Sequence, residues 1–139
     1  MREDIEALIR SRKHCVLATA AANKPYCSLM AYTAPADCSR IWMATFRNTR
    51  KFRNMKENPK VSLLIDARDA EQAQALTLEG CFQEIAGESE IKEVRDRLLA
   101  DHPEMEGFLD QPDTAFVCIR LQSLVFLNGL TDVYRERLA

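Results

Sequence analysis

Residues 14–46 read HCVLATAAANKPYCSLMAYTAPADCSRIWMATF, and this stretch decides the fold. His14–Ala20 is short, apolar and closed by threonine and alanine, which suits a strand. Asn23-Lys24-Pro25 predicts a turn. Tyr26–Thr33 is a second strand, broken by Ala34-Pro35-Ala36-Asp37. Arg40–Phe46 is a third, with Ile41, Met43 and Thr45 on one side and Trp42, Ala44 and Phe46 on the other. Three strands in succession with no helix between them argue against parallel βαβ units, which need a long crossover between neighbours. The third strand is apolar on both faces, which predicts burial on both sides or a ligand against one.

Outward from this stretch the pattern is regular. Met1–Lys13 predicts a helix, with Ile5, Leu8 and Ile9 on one face. A basic helix follows the third strand and stops at Asn58-Pro59, because proline disfavours helical geometry at the residue before it. Lys60–Ala67 predicts a fourth strand, 68–74 a polar loop or helical turn, and Ala75–Ala86 a fifth strand interrupted at Gly80, a bulge or close-contact point. Ser89 is the expected N-cap of a further helix, whose apolar face is Ile91, Val94, Leu98 and Leu99 and which ends at His102-Pro103. Thr114–Leu121 and Ser123–Leu130 predict a closing hairpin, and Arg135–Ala139 a short polar tail. The expected architecture is one α+β domain over residues 1–139, mainly β. Its sheet is an antiparallel, six- to seven-stranded split barrel with flanking helices.

The bulk properties narrow the function. The chain has 139 residues, enough for a hydrophobic core without disulfide staples, and a formal net charge of −2. A pI near 5.7 argues against a general nucleic-acid binder. Five cysteines at 15, 27, 38, 81 and 118 are odd in number and widely spaced, with no C-x-x-C, which excludes a disulfide framework or a cysteine-rich zinc site. They read as small, mostly buried apolar groups. No apolar run approaches the roughly 20 residues of a membrane span, so neither membrane nor nucleic acid is an expected partner. A reducing cytoplasm is the expected location.

Against that acidic background one segment stands out. Arg47, Arg50, Lys51, Arg53 and Lys56 fall within ten residues that contain no acidic side chain. Asn48 or Thr49 is a good N-cap, and Phe52 and Met55 share a face, so these cations crowd a helix start. A helix start already carries partial positive charge, which makes cations there unfavourable by about 0.3–1 kcal/mol each. A bound anion reverses that penalty. Free N–H groups, the Thr49 hydroxyl and the Arg50-Lys51 pair together make a phosphate cradle. Arg47 and Arg53 read as surface charges that steer anions toward it.

Four motifs carry a resemblance to a known family. They are Val16-Leu17-Ala18-Thr19 with Lys24-Pro25 and Ser28-Leu29-Met30; Trp42-Met43-Ala44-Thr45; Thr49-Arg50-Lys51 with Asn54; and Glu57-Asn58-Pro59-Lys60-Val61-Ser62-Leu63-Leu64. In this order the chain resembles the FMN-binding split-barrel family related to pyridoxamine 5′-phosphate oxidase. The resemblance is strongest over residues 14–66 and continues in the Leu78-Glu79-Gly80 step. It implies FMN as cofactor, with its phosphate on Arg50 and Lys51 beside Thr49. It also implies that the flavin edge rests on Ser28, Leu29 and Met30 of the second strand and on Ala44 and Thr45 of the third. In such relatives the flavin lies at a homodimer interface, so a homodimer is expected. Trp42 is either core or a flank of the flavin.

The same resemblance limits the chemistry. Pyridoxamine phosphate oxidases share a C-terminal segment with Trp and an Arg-x-His, whereas this tail reads Asp132-Val133-Tyr134-Arg135-Glu136-Arg137-Leu138-Ala139. The implied activity is therefore that of an FMN-dependent oxidoreductase of a small molecule rather than vitamin B6 oxidation. His14 and His102 lack metal-ligand spacing and read as structural. The stretches 97–103 and 125–130 faintly resemble the haem-utilisation branch of the same fold, which makes haem binding the alternative. A non-catalytic flavin carrier or redox sensor, and a deazaflavin cofactor, are further options.

Overall fold

The computed structural model of the chain describes residues 1–138; Ala139, the end of the expected tail, lies outside them. Helix α1 (Arg2–Ser11) is followed by β1 (His14–Ala21), β2 (Lys24–Ala31), β3 (Arg40–Phe46), α2 (Arg50–Glu57), β4 (Lys60–Ala67) and β5 (Gln74–Glu84). Then come α3 (Glu88–Asp101), a 3-10 turn (Pro103–Met105), α4 (Glu106–Leu109), β6 (Thr114–Asn128) and β7 (Asp132–Arg137). The strands form one sheet in the order β2-β1-β4-β5-β6-β3, with β7 added on β6, and every pairing is antiparallel. A bridge between Thr33 and Trp42 brings the continuation of β2 onto β3. The sheet thus curls into a barrel closed at one point, a mainly β member of the α+β class.

Alternation sends Leu17, Met43, Leu63, Ile65, Leu76, Leu78, Val117 and Ile119 into the barrel, where they pack with Ile5, Leu8 and Ile9 of α1. A second cluster lies outside it. There Val94 and Leu98 of α3 are fully buried against Trp42, Ala44, Phe116 and Cys118. The two apolar faces of β3 are thereby explained: one faces the barrel interior and the other faces α3.

Four local expectations are corrected. The β1–β2 turn is Ala22-Asn23, with φ of 50° and 61°, and Lys24 and Pro25 already belong to β2. Two successive positive φ values make the tight connection whose twist suits a hairpin, and proline is tolerated because β2 is an edge strand. The N-cap of α3 is Gly87 rather than Ser89, so the helix starts two residues early. The expected hairpin of Thr114–Leu121 and Ser123–Leu130 is instead one strand, β6. Its first half pairs with β3 and its second with β7, while β5 runs alongside both. The residues read as a polar tail form β7 up to Arg137, an edge strand whose charges discourage further pairing.

The bend in β6 sits where Gly80 was expected to matter. Glu79 pairs with Ser123 and Gly80 with Leu121, so Gln122 is the extra residue of a bulge. A Cβ on Gly80 would lie 2.6 Å from the Arg120 carbonyl oxygen and 2.7 Å from Ile119 Cγ2. Glycine is needed there because two backbones touch.

Candidate functional site

At the point where β3 hands over to α2, Thr49 caps the helix. Its Oγ1 accepts from the Phe52 N–H at 3.3 Å and donates to the Phe46 carbonyl at 2.8 Å. Thr45 Oγ1 lies 3.3 Å from the same hydroxyl. The Arg53 N–H takes the Thr49 carbonyl at 3.1 Å, which leaves the N–H groups of Arg50 and Lys51 ahead of the first intrahelical acceptor. Met55 and Phe52 are buried, and buried Asn54 donates to Thr19 Oγ1 at 3.1 Å. This bond fixes α2 to β1 and thereby aims its first turn.

The five cations of this segment take different roles. Arg47 pairs with Glu84 at 2.8 Å, and Lys56 reaches the same carboxylate at 3.4 Å. Arg53 donates to Asn48 Oδ1 at 3.4 Å. The Arg50 guanidinium stacks over Tyr26, 4.5 Å from the ring centre. Lys51 has no ion pair among the described residues and lines a cavity of about 480 Å³.

That cavity lies outside the barrel. Of the eight residues expected at the site, Leu29, Met30, Ala44, Thr45, Thr49 and Lys51 line it. Ser28 does not, because it stands opposite fully buried Leu17, which turns its side chain toward the barrel interior. Arg50 lies beside the cavity, on Tyr26. Leu29 is 74% exposed although it lines the cavity, so this wall stands open to solvent.

Other residues complete the cavity that the sequence reading does not place at the site. His14, Phe46, Glu104, Met105 and Phe108 line it. The Phe46 and Phe108 rings lie 4.6 Å apart and close its apolar side. Met105 and Phe108 are three apart in a short helical stretch after Pro103, and that spacing is the signal that could have drawn attention to them. Beneath the opposite wall His102 is 1% exposed; its Nε2 donates to the Tyr32 carbonyl at 2.9 Å, and the His14 ring sits 5.5 Å away. His102 is buried and hydrogen-bonded to the main chain, whereas His14, also read as structural, is exposed and lines the cavity. Trp42 lies in the cluster under α3 and is not part of the lining.

The cavity therefore has cationic and hydroxyl groups from Lys51, Thr45 and Thr49, apolar walls, and both His14 and Glu104 in its lining, with Glu104 Oε1 3.7 Å from His102 Nδ1. Among the described residues no group of His, Cys, Asp and Glu is arranged to hold a metal ion.

A family model described as pyridoxamine 5′-phosphate oxidase matches residues 1–127. The chain belongs to the pyridoxamine 5′-phosphate oxidase family. A search of curated proteins finds no match. Among solved structures, a haem-binding protein from Mycobacterium smegmatis superposes with a TM-score of 0.88 at 20% identity, over 98% of this chain and 57% of that one. ChuZ from Campylobacter jejuni gives 0.85 at 14% identity, over 97% and 58%. General stress protein 26 from Bacillus anthracis gives 0.78 at 17% identity, over 99% and 98%. At such identities the likeness is one of fold, and this family member spans little more than half the length of the first two. Among its described residues, no helix is long and apolar enough to cross a membrane.

Proposed function

We propose that this family member binds FMN in the 480 Å³ cavity and acts, as a homodimer, as an oxidoreductase of a small molecule. The observation that carries the reading is the convergence of Thr45, Thr49 and Lys51 with the walls of β2 and β3 on one cleft. A flavin needs a flat apolar slot with a few polar groups at its rim, and the volume falls in the usual range for such sites. When bound, it supplies the hydride and electron chemistry.

The chain's own groups hold and orient. The Lys51 ammonium and the leftover N–H groups of Arg50 and Lys51 suit a dianionic phosphate. Arg50 adds positive potential from its seat on Tyr26. Ala44, with no side chain beyond Cβ, lets the ring approach the strand. Phe46 and Phe108 exclude water from one side. Leu29, Val16 and Leu64 stand in one register across β2, β1 and β4, and form an apolar outer row beside the open wall. A second copy laid on this row would cover the cavity. Five free thiols suit a reducing, cytoplasmic setting.

One observation favours a second reading. The His14 imidazole is exposed and lines the cavity, and two similar folds are those of a haem-binding protein and ChuZ. The deciding experiment is the absorption spectrum of the purified protein, with the mass of whatever denaturation releases. A yellow flavin spectrum and the mass of FMN support the first reading. An intense Soret band that disappears in His14→Ala replaces it with the second.

A further inference from the structure

At the opposite end of β3 from Phe46 two arginines face each other. The antiparallel register places Arg40 directly opposite Arg120. Like charges in such a pair repel, and a guanidinium cannot relieve the repulsion by losing its proton. Among the described residues, neither has a carboxylate within ion-pair distance. Arg40 Nε is also buried with no hydrogen-bond partner, a cost the fold leaves unmet.

The acidic groups nearby form no ion pair with either guanidinium, although Asp37 feels the Arg40 charge, which helps lower its pKa after its Ser39 hydrogen bonds. Asp37 is occupied by the N–H and hydroxyl of Ser39. Glu84 is occupied by Arg47 and Lys56. Arg2, at the edge of the same region, is already paired with Glu136. Glu90 lines the neighbouring space without reaching either guanidinium. Both arginines line a cavity of about 420 Å³ and a second of about 340 Å³. None of the residues lining these two cavities lines the FMN-sized cavity.

We propose that Arg40 and Arg120 form a second anion site, built for the phosphate of a small organic phosphate monoester. Two planar forks on adjacent strands can each donate paired N–H groups to one tetrahedral anion. The space beside them exceeds what a lone phosphate fills, which leaves room for the organic part. The site stands whether or not the other cavity holds a flavin.

The test is calorimetric titration of the purified full chain at low salt with glycerol 2-phosphate, and separately with inorganic phosphate. Glycerol 2-phosphate is expected to bind more tightly than inorganic phosphate. The Arg50→Ala/Lys51→Ala double variant should retain this binding, and Arg40→Gln or Arg120→Gln should weaken it at least about tenfold. The proposal is overturned if the monoester does not bind the wild-type chain. It is equally overturned if the two Gln variants bind as the wild type does, if binding disappears with Lys51 instead, or if only inorganic phosphate binds.

Discussion

Thr33 and Trp42 exchange two main-chain hydrogen bonds, with N···O distances of 2.9 and 2.8 Å, and this pair closes the barrel. The closure is held from outside by the end of α3, where Thr33 Oγ1 donates to Asp101 Oδ2 at 2.8 Å and His102 donates to the Tyr32 carbonyl. By contrast, β5 and β6 pair along eleven positions. A single bridge can open without disturbing that ladder. Amide hydrogen exchange followed by NMR should therefore show Thr33 and Trp42 exchanging faster than Leu76, Leu78 and Phe126. Equal protection would mean that the closure opens only with the whole molecule.

Gly80 tests the bend in β6. A methyl group there meets a carbonyl oxygen and a packed isoleucine, neither of which is the free end of a flexible chain. Gly80→Ala should cost about 1–3 kcal/mol and lower the melting temperature by several degrees. Gly107→Ala is the matched control. Nothing lies within 4 Å of its Cβ position, and in helix α4 alanine should be neutral or slightly stabilising.

These two places also show what a sequence can state. Elements governed by neighbours along the chain are legible. The Thr49 cap needs only the hydroxyl three residues before Phe52, and Ile5, Leu8 and Ile9 declare the face of α1 by spacing alone. The continuity of β6 is different. Residues 114–130 are apolar on both sides of Gln122, and periodicity cannot distinguish a turn from a bulge in such a run. The choice is made by remote partners, since β3 serves one half and β7 the other. The site divides in the same way. Thr45, Thr49 and Lys51 are near in sequence and foreseeable, whereas Glu104, Met105 and Phe108 join them only because the segment after α3 folds back against β3. Ser28 is one residue from the wall, but strand alternation turns it inward.

Lys51 and Arg50 should contribute unequally to phosphate binding, although they are adjacent. Lys51 lines the cavity, whereas the Arg50 guanidinium is engaged with Tyr26. Lys51→Ala should weaken FMN by about 1.5–3 kcal/mol, the range for a hydrogen bond to a charged group. Arg50→Ala should cost less, because it removes mainly long-range attraction. Riboflavin, which has no phosphate, should bind the wild type and Lys51→Ala equally. Fluorescence titration measures all three. Equal losses in the two variants, or a Lys51 effect on riboflavin, would contradict this division of roles.

Cys15 predicts how stability changes at alkaline pH. Its side chain is buried inside the barrel, and desolvation pushes the thiol pKa up to about 12 from 9.0. Buried Tyr32 is raised above its ordinary value too, first by desolvation and then by neighbouring Cys15 and Cys38. Below pH 9 both states keep the Cys15 proton, so this thiol makes no pH-dependent contribution. Between pH 9 and about 12 the unfolded chain releases a proton that the native chain retains. Unfolding then becomes easier as pH rises, by up to about 1.4 kcal/mol per pH unit for each retained proton. Urea unfolding from pH 7 to 11 should show a plateau followed by a decline beginning near pH 9. In Cys15→Ala, once its constant cavity penalty is subtracted, the decline should be shallower because one of the retained protons is gone. Identical slopes in the two proteins would show that Cys15 is solvated in the folded state.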